Sequence, residues 1–139
     1  MFRVSQNSKE IDFSFSASLR NIDRAAEETK EFLKKAGKEN QSFNIILGLR
    51  EALINAVVHG CRKNSRRVII YNLRIENDSF FMEVEDEGYG FDWRTYFGKG
   101  IPSIQEHGRG VAIMERCFSS MKYNERGNKL LLVLKDTMV

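Results

Sequence analysis

The stretch from Arg66 to Val84 constrains the fold more than any other part of the chain. Arg66 to Ile75 places Ile69, Tyr71, Leu73 and Ile75 on one face, with Val68 and Ile70 on the other. Asn77-Asp78 is a turn signal, and Phe80, Met82 and Val84 alternate after it. Period-two alternation marks strands, and two such runs around a short turn make a hairpin. A lone hairpin is at best marginally stable in water, so this one needs further strands and a cover for its apolar face.

The rest of the chain supplies both. Ile11 to Ser16 alternates as a half-buried strand, and Met1–Val4 reads as a further short strand. Ser18 offers an N-cap to a helix carrying Leu19, Ile22, Ala26, Phe32 and Leu33, which runs to Ala36 and ends at Gly37. A second helix starts at about Ser42. Its apolar residues Phe43, Ile46, Leu47, Leu49, Leu53, Ala56 and Val57 cover more than half its circumference, so it is expected to be largely buried, with Gly60 at its end. A third helix is expected near Gly110, with Val111, Ile113, Met114 and Cys117. Met121 to Glu125, a turn at Gly127-Asn128, and Lys129 to Lys135 make a final hairpin. Strands in hairpin pairs predict a mostly antiparallel sheet with helices on one face, an α+β fold in two layers. Strict βαβ alternation is absent, which argues against a doubly wound parallel sheet.

Composition narrows the function classes. The chain has 139 residues, the length of a single domain, here taken as residues 1–139. Lys and Arg number 22 against 19 Asp and Glu, and a net charge of +3 is too small to argue for nucleic acid. The basic run Arg62-Lys63-Asn64-Ser65-Arg66-Arg67 reads as a solvated connecting loop. No apolar run is long enough to span a bilayer, and the N-terminus has no apolar signal core, so a soluble cytoplasmic chain is expected. Cys61 and Cys117 are read as small apolar residues at helix ends.

Three polar clusters carry chemistry. Glu51 and Asn55 are four apart on the apolar second helix and share a face, with His59 four further on. A carboxylate there can act as a general base, and an amide oxygen can bind a hard cation such as magnesium. The bland alternative is a solvated helix edge or an internally satisfied polar pair. Asp86-Glu87-Gly88-Tyr89-Gly90 follows a strand, where glycines permit close approach of a ligand or simply make a turn. Gly108-Arg109-Gly110 opens the third helix, whose free N–H groups attract anions. A dinucleotide fingerprint fails at Trp93, and no P-loop is present.

In chain order these clusters read E-x-x-x-N on a helix, D-x-G-x-G after a strand, a long loop, then G-x-G at a helix start. The pattern resembles the ATP-binding domain of gyrase B, Hsp90 chaperones, histidine kinases and MutL, with the Bergerat-type fold and its mixed, mostly antiparallel sheet. The resemblance implies that Asn55 coordinates magnesium bridging the phosphates and that Asp86 accepts a hydrogen bond from the adenine amino group. Gly88 and Gly90 then shape the adenine pocket, residues 92–107 form a lid, and Gly108, Arg109 and Gly110 face the phosphates. Glu51 polarises the attacking hydroxyl or water.

At 139 residues neither a phospho-acceptor domain nor a second coupling domain is expected, and that expectation selects among the relatives. Leu49-Arg50-Glu51-Ala52-Leu53-Ile54-Asn55-Ala56 and Gly108-Arg109-Gly110-Val111-Ala112-Ile113 are most similar to the bacterial anti-sigma factor serine/threonine kinases of partner-switching systems. That resemblance implies ATP and Mg2+ as cofactors and a sigma factor or an anti-sigma-factor antagonist as partner. It also implies a homodimer, with neither nucleic acid nor membrane involved. The chain departs from many members in an aromatic loop (Phe91, Trp93, Tyr96, Phe97) and in Asn128-Lys129, where some relatives carry Thr-Thr. Two rival readings are a nucleotide-binding module that holds a partner without phosphoryl transfer, and a basic domain binding nucleic acid through residues 62–67.

Overall fold

The structure is a computed structural model; it describes residues 1–88 and 110–135 in full and residues 106–109 by their backbone. The expected lid, with Gly90 and the aromatic loop, lies outside the described residues apart from the backbone of positions 106 and 107. Strands β1 (Phe2–Gln6) and β2 (Glu10–Ser16) lead into helices α1 (Leu19–Lys35) and α2 (Ser42–Asn55). Strands β3 (Val68–Glu76) and β4 (Ser79–Asp86) follow. Helix α3 (Glu106–Cys117) and strands β5 (Ser120–Tyr123) and β6 (Lys129–Lys135) complete the set.

The six strands form one sheet in the order β1-β2-β3-β4-β6-β5. Every neighbouring pair is antiparallel among the described residues, in keeping with the mostly antiparallel sheet expected. The cause is local: the strands enter as three hairpins, and each hairpin docks on the next with opposed direction. Asn77 and Asp78 both take positive φ (48° and 62°), the conformation that a two-residue hairpin turn requires. Their register sets Tyr71 opposite Val84 and Ile69 opposite Asp86.

One sheet face is apolar and carries the helices. Ile11, Phe13, Phe15, Ile69, Tyr71, Leu73, Phe80, Met82, Leu130 and Leu132 are buried there against Ile22, Phe32 and Leu33 of α1 and Ile45, Leu49 and Leu53 of α2. The rings of Phe13 and Tyr71 stack at 4.9 Å. The Tyr71 hydroxyl meets that of Thr29 at 3.1 Å, and Thr29 donates to the Ala25 carbonyl, so these buried polar groups are satisfied. No helix among the described residues is long and apolar enough to cross a membrane.

The helix ends follow sequence chemistry. Ser18 caps α1 by accepting the Asn21 N–H at 3.2 Å, and Gly37 takes φ +73° just beyond its end. The burial expected around α2 is corrected. Its core stripe is Ile45, Leu49, Ala52, Leu53 and Ala56, whereas Phe43 is 76% exposed and Leu47 is also exposed. Apolar residues spread around most of a helix cannot all face one sheet, and those on the far side remain in solvent.

Candidate functional site

Asn55 is the last residue of α2, and the chain then widens into a π turn over Ala56–Gly60, closed by Cys61 N–H donating to the Ala56 carbonyl at 2.8 Å. The wider turn interrupts the i,i+4 stripe after Asn55, so His59 does not extend the Glu51–Asn55 pair. Such turns are frequent at functional sites because they re-aim the backbone. Here the turn delivers Gly60 against the end of β4.

Asp86 ends β4 and is only 6% exposed. Its Oδ1 accepts the Gly88 N–H at 2.7 Å. Two glycines close around it. A Cβ on Gly60 would run into the Asp86 carboxylate, and a Cβ on Gly88 would overlap the Gly60 carbonyl. Gly88 is therefore demanded by close backbone approach rather than by turn geometry alone. Burial pushes the Asp86 carboxyl up to about 6, opposed by the Gly88 N–H and by the positive charges of Arg126 and Arg67. Burial and the same carboxylate push the Cys61 thiol up to about 11, so it stays protonated.

Glu87, for which the sequence offers no role, anchors this loop. Its Oε1 accepts the Val68 N–H at 2.6 Å at the start of β3. The turn between β5 and β6 holds the other side. Asn124 Oδ1 accepts the N–H groups of Gly127, Asn128 and Lys129, a short-polar-residue turn that makes the segment compact. From that turn Asn128 Nδ2 donates to the Asp86 carbonyl at 3.1 Å, and Arg126 Nη2 donates to the Gly88 carbonyl at 2.7 Å.

Asn55 is 5% exposed and lines the same cavity as Asp86, together with Ala52, Val84, Tyr123 and Asn128. The Asn55 amide lies beside the Tyr123 hydroxyl, whose proton affinity burial raises and Asn55 lowers. Asn55 Nδ2 has no well-formed hydrogen bond among the described residues. The cavity measures about 10 Å³, the room of about one water. The Asn128 side chain forms part of its wall, held at both ends by its bond to the Asp86 carbonyl and by accepting the Asn124 Nδ2 at 2.8 Å.

Helix α3 starts at Glu106, one turn earlier than expected. Gly108 and Arg109 thus stand in its first turn, among the orphan N–H donors of a helix N-terminus, while Gly110 lies inside the helix. The third cluster nevertheless meets the first. A Cβ on Gly110 would sit 2.9 Å from Glu51 Oε2 and 3.8 Å from Asn55 Oδ1. Glu51 is half-buried, and its charge adds to burial in raising the Cys117 thiol.

Glu51, Asn55 and Gly110 are thus brought together, and Asn55 shares a cavity with Asp86, whose carboxylate rests on Gly88. Gly90 and the side chain of Arg109 lie outside the described residues. Sequence reasoning missed Gly60, which reads as an ordinary helix stop, and assigned no role to Arg126 and Tyr123, although the stretch Tyr123-Asn124-Glu125-Arg126-Gly127-Asn128 shares the family resemblance. Oxygen donors on Asn55 and Glu51, one of them on a buried side chain with an unsatisfied amide, suit a hard cation among phosphate oxygens.

Comparison with known proteins bears directly on this arrangement. The chain is 27% identical over 100 residues to the anti-sigma F factors of three Clostridium perfringens type A strains, covering 68% of this chain and 71% of each relative. A family model of the histidine kinase-like ATPase domain matches residues 15–134, a span that contains α2, the end of β4 and α3. On that match the chain belongs to the histidine kinase-like ATPase domain family.

Proposed function

We propose that the chain is an ATP- and magnesium-dependent protein serine/threonine kinase of a partner-switching system, acting in the cytoplasm. It phosphorylates a hydroxyl on an anti-sigma-factor antagonist and, in the alternative complex, holds a sigma factor inactive. The observation that carries this reading is the convergence of Glu51, Asn55 and Gly110, from two different helices, beside the cavity floored by Asp86. The anti-sigma F names of the relatives supply the partner class.

In this reading Asp86 accepts the adenine amino hydrogen and Gly88 keeps the base close to the backbone. The first turn of α3, with Gly108 and Arg109, faces the phosphates with its N–H donors. Gly110, having no side chain, leaves Glu51 and Asn55 room beside it. Asn55 Oδ1 would hold magnesium, whose charge offsets that of the phosphates when it is bound. Glu51 takes the proton of the partner hydroxyl as its oxygen bonds to the γ-phosphorus, and the bond from that phosphorus to the bridging oxygen breaks to release ADP. Positioning and electrostatics carry most of the rate in such transfers.

The test is transfer of label from radiolabelled ATP to a small antagonist protein encoded beside this chain, with Glu51→Gln as control. Loss of transfer in the variant, with nucleotide binding kept, supports the assignment. Equal transfer removes Glu51 from the mechanism, and nucleotide binding with no transfer by the unaltered protein favours a sequestering module without catalysis.

A further inference from the structure

Arg126 belongs to none of the three clusters, yet it is two hydrogen bonds from the Asp86 carboxylate. Its Nη2 donates to the Gly88 carbonyl at 2.7 Å, and the Gly88 N–H in turn donates to Asp86 Oδ1 at 2.7 Å. The same turn clasps Asp86 itself, because Asp86 N–H donates to the Asn128 carbonyl at 2.9 Å. With Oδ1 engaged by Gly88, the carboxylate is left with Oδ2 to offer a ligand.

We propose that Arg126 is a positioning residue for base selection: by holding the Gly88 peptide it fixes which oxygen of Asp86 is presented, and so favours a 6-amino purine over one lacking that donor. This rests on the assignment of Asp86 as the adenine acceptor. The physical ground is directionality, since a hydrogen bond weakens steeply once its angle departs from linear. A rigid acceptor discriminates strongly against a ligand that leaves it unpaired, whereas a swivelling one can turn away. Arg67 donates to the neighbouring Glu87 carbonyl, at a long 3.4 Å. Arg126 is an exposed residue, so its truncation opens no core cavity.

The experiment measures binding of ATP and of purine riboside 5′-triphosphate, which lacks the 6-amino group, by calorimetry. It compares the unaltered protein with Arg126→Ala, Arg126→Gln and Arg126→Lys, with thermal unfolding to check the fold. The Ala and Gln variants are expected to lose about tenfold in ATP affinity, the effect of one charge-assisted hydrogen bond, with the analogue unchanged. Lys, which can still donate to the Gly88 carbonyl, is expected to regain part of the preference. Unchanged preference in both the Ala and Gln variants, or equal weakening for the two ligands, overturns the role of Arg126 alone. An unaltered protein that does not prefer ATP to the analogue overturns the Asp86 assignment, and this proposal with it.

Discussion

Asp86 makes a pH-dependent contribution to stability whose sign is opposite to that of an ordinary paired carboxylate. Burial raises its carboxyl from 3.8 to about 6. At about 1.4 kcal/mol per pH unit, this difference amounts to about 3 kcal/mol. Between the two values the folded chain holds a proton that the unfolded chain has released. Stability from this group is therefore fully present below about pH 4, falls as pH rises through about 6, and is absent above it. Asp86→Asn removes the ionisation while keeping an oxygen to accept the Gly88 N–H. At about pH 8 the variant is expected to be more stable than the parent by up to about 3 kcal/mol, and at about pH 4 the two should match. The amide then turns its NH2 toward the ligand, so a donor meets the adenine donor and ATP affinity is lost. Urea unfolding of both proteins across this pH range reads the difference directly, with calorimetry for the nucleotide. Parallel pH profiles for parent and variant, or a variant less stable at about pH 8, would refute the reasoning.

Three further substitutions probe the walls of the site. Gly88→Ala drives a methyl group into the Gly60 carbonyl, a backbone atom that cannot swing aside, so a loss of about 3 kcal/mol in urea unfolding is expected. Gly110→Ala instead meets the far end of a flexible side chain 2.9 Å away; stability should change by less than about 1 kcal/mol while phosphoryl transfer falls as Glu51 is displaced. Asn128→Ala removes the bond to the Asp86 carbonyl and the one from Asn124 Nδ2, so a loss of about 2 kcal/mol in urea unfolding is expected. An unchanged unfolding midpoint would show that this turn does not depend on the Asn128 side chain.

The layers of this molecule were legible where the signal is local. Alternation located β2, β3 and β4, Ser18 and Gly37 marked the ends of α1, and Asn77-Asp78 marked the hairpin. Each of these depends on a few adjacent residues and a backbone preference that tertiary contacts do not oppose. Burial around α2 was misread at Phe43 and Leu47, because sequence periodicity reports which side chains are apolar and not how many sides of a helix find a partner. The start of α3 was placed late because its first turn, Glu106 to Arg109, has no apolar residue to announce it. Glu51, Asn55 and Asp86 could be picked out as polar groups on apolar elements. Gly60 and Arg126 could not, since one acts through a missing Cβ and the other through a carbonyl 38 residues away in sequence.

Two buried polar groups at this site, Asn55 and Asp86, weigh against folding. Thr29 and Tyr71 show that the fold can provide for a buried hydroxyl, and Asn21 likewise gives its Nδ2 to the Ser16 carbonyl at 2.8 Å. Asn55 Nδ2 and the ionised Asp86 are not so provided for, and each opposes folding by an amount on the order of 1–3 kcal/mol. An apolar residue at position 55, beside the apolar walls Ala52, Val84 and Leu130, and an amide at position 86 that still accepts the Gly88 N–H would relieve that cost. Strain that a fold could shed, concentrated on two residues lining one cavity beside Glu51, is what a binding site requires and what a structural core does not. A double replacement, Asn55→Leu with Asp86→Asn, should therefore raise thermal stability above that of the parent at about pH 8 while abolishing ATP binding. A double variant that unfolds more easily would show that these groups serve the fold and would remove the argument for a ligand at this cavity.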